Sequence, residues 1–239
     1  DLESLISTAR EQLHIDPEER SAIFGDLDIE YTVPGYEGNR LNLSSHPVGY
    51  LIGPSLSSAD FISTSAEMVI AIEKGGLFNR FVEEKVHKKY KSIIIDTAGQ
   101  APRATRYMLK RLHNELNLPV YIMTDGDVYG EHIAMVIVSG SAGAAHLREL
   151  TVPSAKWLGI WASDIDKYKL PTIPMTDIDI KRISELKRDP RYKKGIWNKQ
   201  LDVFMNIKKK CELEAFSKYG LTTIVDKYLP EKLEQAKSM

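Results

Sequence analysis

Between Met68 and Trp161 short apolar runs alternate with segments whose apolar residues recur every three or four positions. Met68–Ile72, Ile93–Ile95, Val120–Met123 and Trp157–Trp161 read as strands. Leu77, Phe78, Phe81, Val82 and Val86, then Met108, Leu109, Leu112 and Leu116, then Ile133, Val136 and Ile137 read as the buried faces of intervening helices. Strands joined through helices are parallel, and a parallel sheet is covered on both faces, so the spacing predicts an α/β fold with a mainly parallel central sheet. Upstream, Pro17, Pro34, Gly35, Gly38, Pro47, Gly49, Gly53 and Pro54 punctuate short alternating runs such as Leu27, Ile29, Tyr31. Beyond Trp161 the alternation stops, and 177–187 and 197–218 read as helices, the second burying Trp197, Leu201, Phe204, Cys211 and Ala215. The expected organisation is a helical lead-in (1–16), a small strand-rich segment (17–66), the α/β core (67–165) and a helical extension packed on that core (166–239).

One cysteine among 239 residues excludes a disulfide scaffold and cysteine-rich zinc sites, and fits a reducing cytosol. No run of about 18 apolar residues is present to span a membrane. The start at Asp1, without a basic and apolar leader, reads as part of something longer. Charge is unevenly spread: residues 1–64 carry 3 basic and 11 acidic side chains, whereas 181–210 carry 11 basic and 3 acidic. The basic stretch fits either a polyanion contact or a solvated helix face. No Walker loop or Gly-x-Gly-x-x-Gly fingerprint occurs.

Ligands of an open parallel sheet bind at the carboxyl ends of its strands. Glu73 closes the first of these strands; Asp125 closes the third, with Asp127 one glycine later. Three like charges at one edge raise each other's pKa unless a cation joins them. Oxygen-only ligands suit Mg²⁺, whose usual task is to hold phosphate. The bland alternative is helix capping, especially for Asp127 ahead of Val128. Asp96 ends the second strand, where Thr97 and Gly99 favour a turn. Lys74 reads as a surface lysine or, less favoured, a phosphate contact. Arg103, Thr105 and Arg106 open a helix after Pro102 and fit a phosphate contact or a structural ion pair. His132 lies on the helix after Asp127, where it could face the acids; the other five histidines form no spaced metal pair.

Glu73 before Lys74-Gly75-Gly76, with a later Asp125-Gly126-Asp127, resembles the Toprim domain of topoisomerases and primases. Ile72-Glu73-Lys74, Gly99 to Arg106, Thr124 to Gly130 and Lys156-Trp157-Leu158-Gly159, in this order, resemble more specifically the A subunits of archaeal DNA topoisomerase VI and the related meiotic double-strand-break protein. The resemblance covers essentially the whole chain. It implies a Toprim fold in a type IIB topoisomerase subunit that acts on double-stranded DNA in the archaeal cytoplasm, as a homodimer with an ATP-binding B subunit. Carried over by position, Glu73, Asp125 and Asp127 become Mg²⁺ ligands and catalytic acids, and Lys74, Arg103, Arg106 and His132 candidate DNA or phosphate contacts.

Two departures qualify it. The family's nucleophilic tyrosine sits in an arginine-and-paired-tyrosine motif that none of the 11 tyrosines here matches, so this chain alone is expected not to cleave DNA. Tyr31, Tyr36, Tyr50 and Tyr107 read as packing residues. Val128 stands where relatives commonly carry proline, which changes loop stiffness rather than ligation. A stand-alone Toprim nuclease or primase-like protein, and a non-catalytic dimerisation or DNA-docking module, are the competing readings. A receiver-type signalling domain is disfavoured, because its first strand ends in paired carboxylates.

Overall fold

The computed structural model describes residues 19–141, 150–220 and 222–238. The expected lead-in helix, His14 and His146 lie outside these residues. The described strands begin with β1 (Ala22–Phe24), β2 (Leu27–Glu30), β3 (Arg40–Asn42), β4 (Tyr50–Leu51) and β5 (Asp60–Thr64). They continue with β6 (Met68–Ile72), β7 (Ser92–Asp96), β8 (Val120–Met123), β9 (Lys156–Gly159), β10 (Ile173–Pro174) and β11 (Lys209–Lys210). The central sheet has the order β4-β1-β7-β6-β8-β9. Its four strands from the alternating region, β7, β6, β8 and β9, are mutually parallel.

The upstream segment divides between two sheets. β1 and β4 extend the central sheet as antiparallel strands, with Ile23 opposite Ile95. β3, β2 and β5 form a separate three-stranded antiparallel sheet.

Alternation along each buried strand separates the core into two sides. Ile70, Ile72, Ile94, Tyr121, Met123 and Leu158 face one side; Val69, Ala71, Ile93, Ile95, Val120, Ile122 and Trp157 face the other. The first side is covered by the helix Gly75–Glu83, through Leu77, Phe78 and Phe81, and by the C-terminal helices, through Leu201, Phe204, Tyr228 and Leu229. The second is covered by the helix Arg103–Leu116, through Met108, Leu109 and Leu112. The helix Val128–Ser139 contributes to both sides, which is why it is apolar nearly all round.

Two expected helices are interrupted. The apolar face from Leu77 to Val86 breaks at Lys85, whose left-handed backbone separates Gly75–Glu83 from Val86–Lys89. The single helix expected over 197–218 ends at Ile207. Lys208 adopts a left-handed C-cap, β11 pairs with β10, and a 3₁₀ helix resumes at Leu213–Tyr219. Cys211 is buried as expected, but on the irregular strap between these elements rather than on a helix face.

Tyr31 and Tyr50 pack against the core as expected, whereas Tyr36 and Tyr107 are exposed.

A buried polar cluster pins the C-terminal helix Leu229–Lys237 to the helix Ala162–Lys167 that follows β9. Lys232 Nζ lies 2.6 Å from Asp164 Oδ2 and 3.4 Å from the centre of the Trp161 ring, while Tyr228 donates to the same carboxylate at 2.7 Å.

Candidate metal centre

Glu73 follows β6, so its backbone is held by neighbouring strand ends: Glu73 N–H donates to Met123 O, and Gly99 N–H donates to Glu73 O. Its side chain turns toward the end of β8, where Glu73 Oε2 accepts the Asp125 N–H at 2.8 Å. Asp125 is 8% exposed. Its Oδ1 accepts the Leu213 N–H at 2.8 Å and its Oδ2 lies 3.1 Å from Lys74 Nζ. Asp127 caps the helix Val128–Ser139, accepting the Gly130 N–H at 2.7 Å, so its capping role is realised.

Two glycines permit this loop. A Cβ on Gly130 would come 2.2 Å from Asp125 O, and one on Gly126 would come 2.7 Å from Cys211 Sγ. The second contact reflects the strap: Gly126 N–H donates to Cys211 O and Cys211 N–H donates back to Gly126 O. The acidic loop is therefore clamped from outside by residues 210–214. Burial pushes the Cys211 thiol up to about 12, so this cysteine stays a neutral packing group.

Lys74 is not a surface lysine. Its ammonium lies 3.1 Å from Asp125, 3.0 Å from Glu214 and 3.4 Å from Glu212, with the side chain 27% exposed. Those partners raise its pKa despite burial. Asp96 accepts the Ala98 N–H at 2.9 Å, which fulfils the turn reading.

Burial, then the charges of Asp125 and Asp127, push the Glu73 carboxyl up to about 7 against the opposing Asp125 N–H hydrogen bond. Burial also raises Asp125 and Asp127, opposed by the Leu213 N–H and Lys74 at the first and by the Gly130 N–H and Lys210 at the second. Oxygen-only donors that raise one another's pKa fit a hard divalent cation in their chemistry. Among the described residues, however, no group of three or more His, Cys, Asp or Glu side chains is gathered into a ready coordination shell. Asp125 is instead committed to Lys74 and Leu213.

His132 Nδ1 is 2.7 Å from the Tyr192 hydroxyl, and burial together with Arg182 and Arg191 pulls its pKa down to about 4. It belongs to that cluster rather than to the acids. Arg106 and Thr105 are buried on the helix Arg103–Leu116, and Arg103 is its first residue. In the basic stretch, Lys187 pairs with Asp202, Arg182 with Glu185, Arg191 with Asp189 and Lys210 with Asp179. Lys181, Arg188, Lys193, Lys194 and Lys199 are exposed.

Residues 68–233 match the family described as the Toprim domain of topoisomerase 6 A subunits and Spo11. This chain belongs to that family. Among its curated relatives, the type 2 DNA topoisomerase 6 A subunit of Methanothermobacter thermautotrophicus is 47% identical over 98% of the chain and 66% of its own length. The corresponding subunits of Archaeoglobus fulgidus and Halobacterium salinarum are 40% and 37% identical over 98% of the chain and 66% and 65% of their own lengths. The chain thus spans about two thirds of the relatives it matches. The Toprim family assignment accords with the mainly parallel sheet and with acids at the ends of β6 and β8. Sequence reasoning missed Glu212, Leu213 and Glu214, because an assumed helix left no signal that these residues return to the sheet edge.

Proposed function

We propose that this chain is the Mg²⁺-binding Toprim region of the DNA-cleaving A subunit of an ATP-dependent type IIB topoisomerase. The observation that carries the reading is the contact of Glu73 with the Asp125 loop at the carboxyl ends of β6 and β8. Glu73, Asp125 and Asp127 would hold the ion. When bound, it supplies positive charge against a DNA phosphate and orients the leaving oxygen. Glu73 fixes the start of the Asp125 loop through its hydrogen bond, and Leu213 N–H fixes the Asp125 carboxylate. Asp127 holds the loop to the first turn of the following helix. The nucleophilic tyrosine acts from another part of the enzyme, so the chain by itself does not cleave DNA.

The proposed partners, in an archaeal cytoplasm, are double-stranded DNA, the ATP-binding B subunit of the enzyme and a second copy of the A subunit. No helix among the described residues is long and apolar enough to cross a membrane. We assign 1–16 as the lead-in, 17–66 as the small strand-rich segment, 67–165 as the Toprim core and 166–239 as the extension. Calorimetric titration with Mn²⁺ and Mg²⁺ tests the reading. Binding to the wild-type chain that disappears in Glu73→Ala/Asp125→Ala is expected; equal affinity in both refutes it. Metal-dependent DNA hydrolysis by the isolated chain would favour a stand-alone nuclease instead.

A further inference from the structure

An ammonium has three N–H donors, and three carboxylates surround that of Lys74: Asp125, Glu212 and Glu214 at 3.1, 3.4 and 3.0 Å. Lys74 donates to Glu214 and lies within ion-pair distance of Asp125 and Glu212, so its charge is directed at carboxylates of this chain. Lys74 is thus the cation that compensates Asp125 in the metal-free protein. Its three partners are not equivalent. Asp125 is buried and fixed by Leu213 N–H, whereas Glu212 and Glu214 are 58% and 50% exposed and, among the described residues, form ion pairs only with Lys74. The same strap therefore immobilises Asp125 through Leu213 and offers Lys74 two further anchors on either side of it.

We infer that Lys74 is a built-in counter-cation that occupies Asp125 until a divalent ion binds, and that Glu212 and Glu214 then hold it clear of the ion. The inference rests on the metal reading above. It makes Lys74, Glu212 and Glu214 positioning residues: the glutamates assist ion binding by retaining the lysine, without coordinating the ion themselves.

The test is Mn²⁺ calorimetry on the full 239-residue chain. Removing the resident cation with Lys74→Met should tighten Mn²⁺ binding about tenfold, whereas Glu212→Gln/Glu214→Gln should weaken it about tenfold by leaving Lys74 on Asp125. In the Lys74→Met background the two glutamine changes should cost less than about threefold, because their effect passes through the lysine. Lys74→Gln provides a second neutral side chain should methionine disturb folding. Unchanged or weaker binding in both Lys74 variants overturns the inference. So does a glutamate effect of equal size with and without Lys74, the signature of general electrostatic attraction. Asp125→Asn separates the two levels. Mn²⁺ binding that needs Asp125 yet ignores Lys74 defeats the inference alone; binding that ignores Asp125, or is absent from every protein, defeats the metal reading with it.

Discussion

Glu73→Gln should stabilise the metal-free protein while abolishing the proposed divalent-ion binding. The Glu73 carboxyl is raised from 4.5 to about 7, first by burial and then by Asp125 and Asp127. Below pH 4.5 the folded and unfolded chains both hold the proton, so Glu73 contributes no pH-dependent term. As pH rises toward 7 the unfolded chain releases the proton first, and folded stability falls; above 7 the penalty is complete. The rise in pKa corresponds to about 3 kcal/mol, reduced to about 2 by residual solvent contact. Glutamine retains an oxygen acceptor for the Asp125 N–H and carries no charge. Urea unfolding in EDTA should therefore find Glu73→Gln about 2 kcal/mol more stable than wild type at pH 8, with the gap closing toward pH 4.5. Mn²⁺ at 100 times its Kd should add about 2.7 kcal/mol to the wild type and nothing to the variant, reversing their order. A variant less stable than wild type at pH 8, or a gap independent of pH, would refute the electrostatic argument.

Lys232→Met should cost about 3–5 kcal/mol in urea unfolding by leaving Asp164 buried without its cation, and adding Asp164→Leu should recover most of that loss. Gly130→Ala should lower stability by at least about 1 kcal/mol, against the usual gain of alanine in a helix, because its Cβ meets Asp125 O; differential scanning calorimetry reads this. If the basic stretch meets DNA, Arg188→Glu/Lys193→Glu/Lys194→Glu should flatten the salt dependence of binding by about three phosphate contacts, whereas Lys187→Glu should chiefly disturb its pair with Asp202; fluorescence anisotropy across salt concentrations distinguishes them.

The central fold was legible because its signal is local and redundant. Each buried strand must place successive side chains on opposite faces, and Val69 to Ile72 do so as an uninterrupted apolar run, with turns and helical stripes at either side. The upstream strands were visible as strands, but their division between two sheets was not. β1 pairs with β7, about 70 residues later, and no local pattern specifies that partner. The end of the helix at Ile207 failed for a related reason. Lys208, Lys209 and Lys210 carry no glycine or proline stop signal, so the left-handed cap at Lys208 is selected by tertiary pairing with Ile173–Pro174.

That one missed helix end determines how the candidate site must be understood. With 197–218 as a continuous helix, Glu212 and Glu214 would belong to a solvated face and Asp125 would stand at a bare sheet edge. The observed strap brings Leu213 N–H to Asp125 and both glutamates to Lys74, so part of the charge balance of the strand-end acids comes from nearly 90 residues downstream. The strand-end position of Glu73 and Asp125 could be inferred from spacing because it follows from the sheet. Their electrostatic environment could not, because it depends on a chain reversal encoded by non-local contacts. On the proposed reading, a divalent ion at this edge would meet acids already neutralised in part by Lys74, and its affinity would be set by competition with that lysine as well as by the acids themselves.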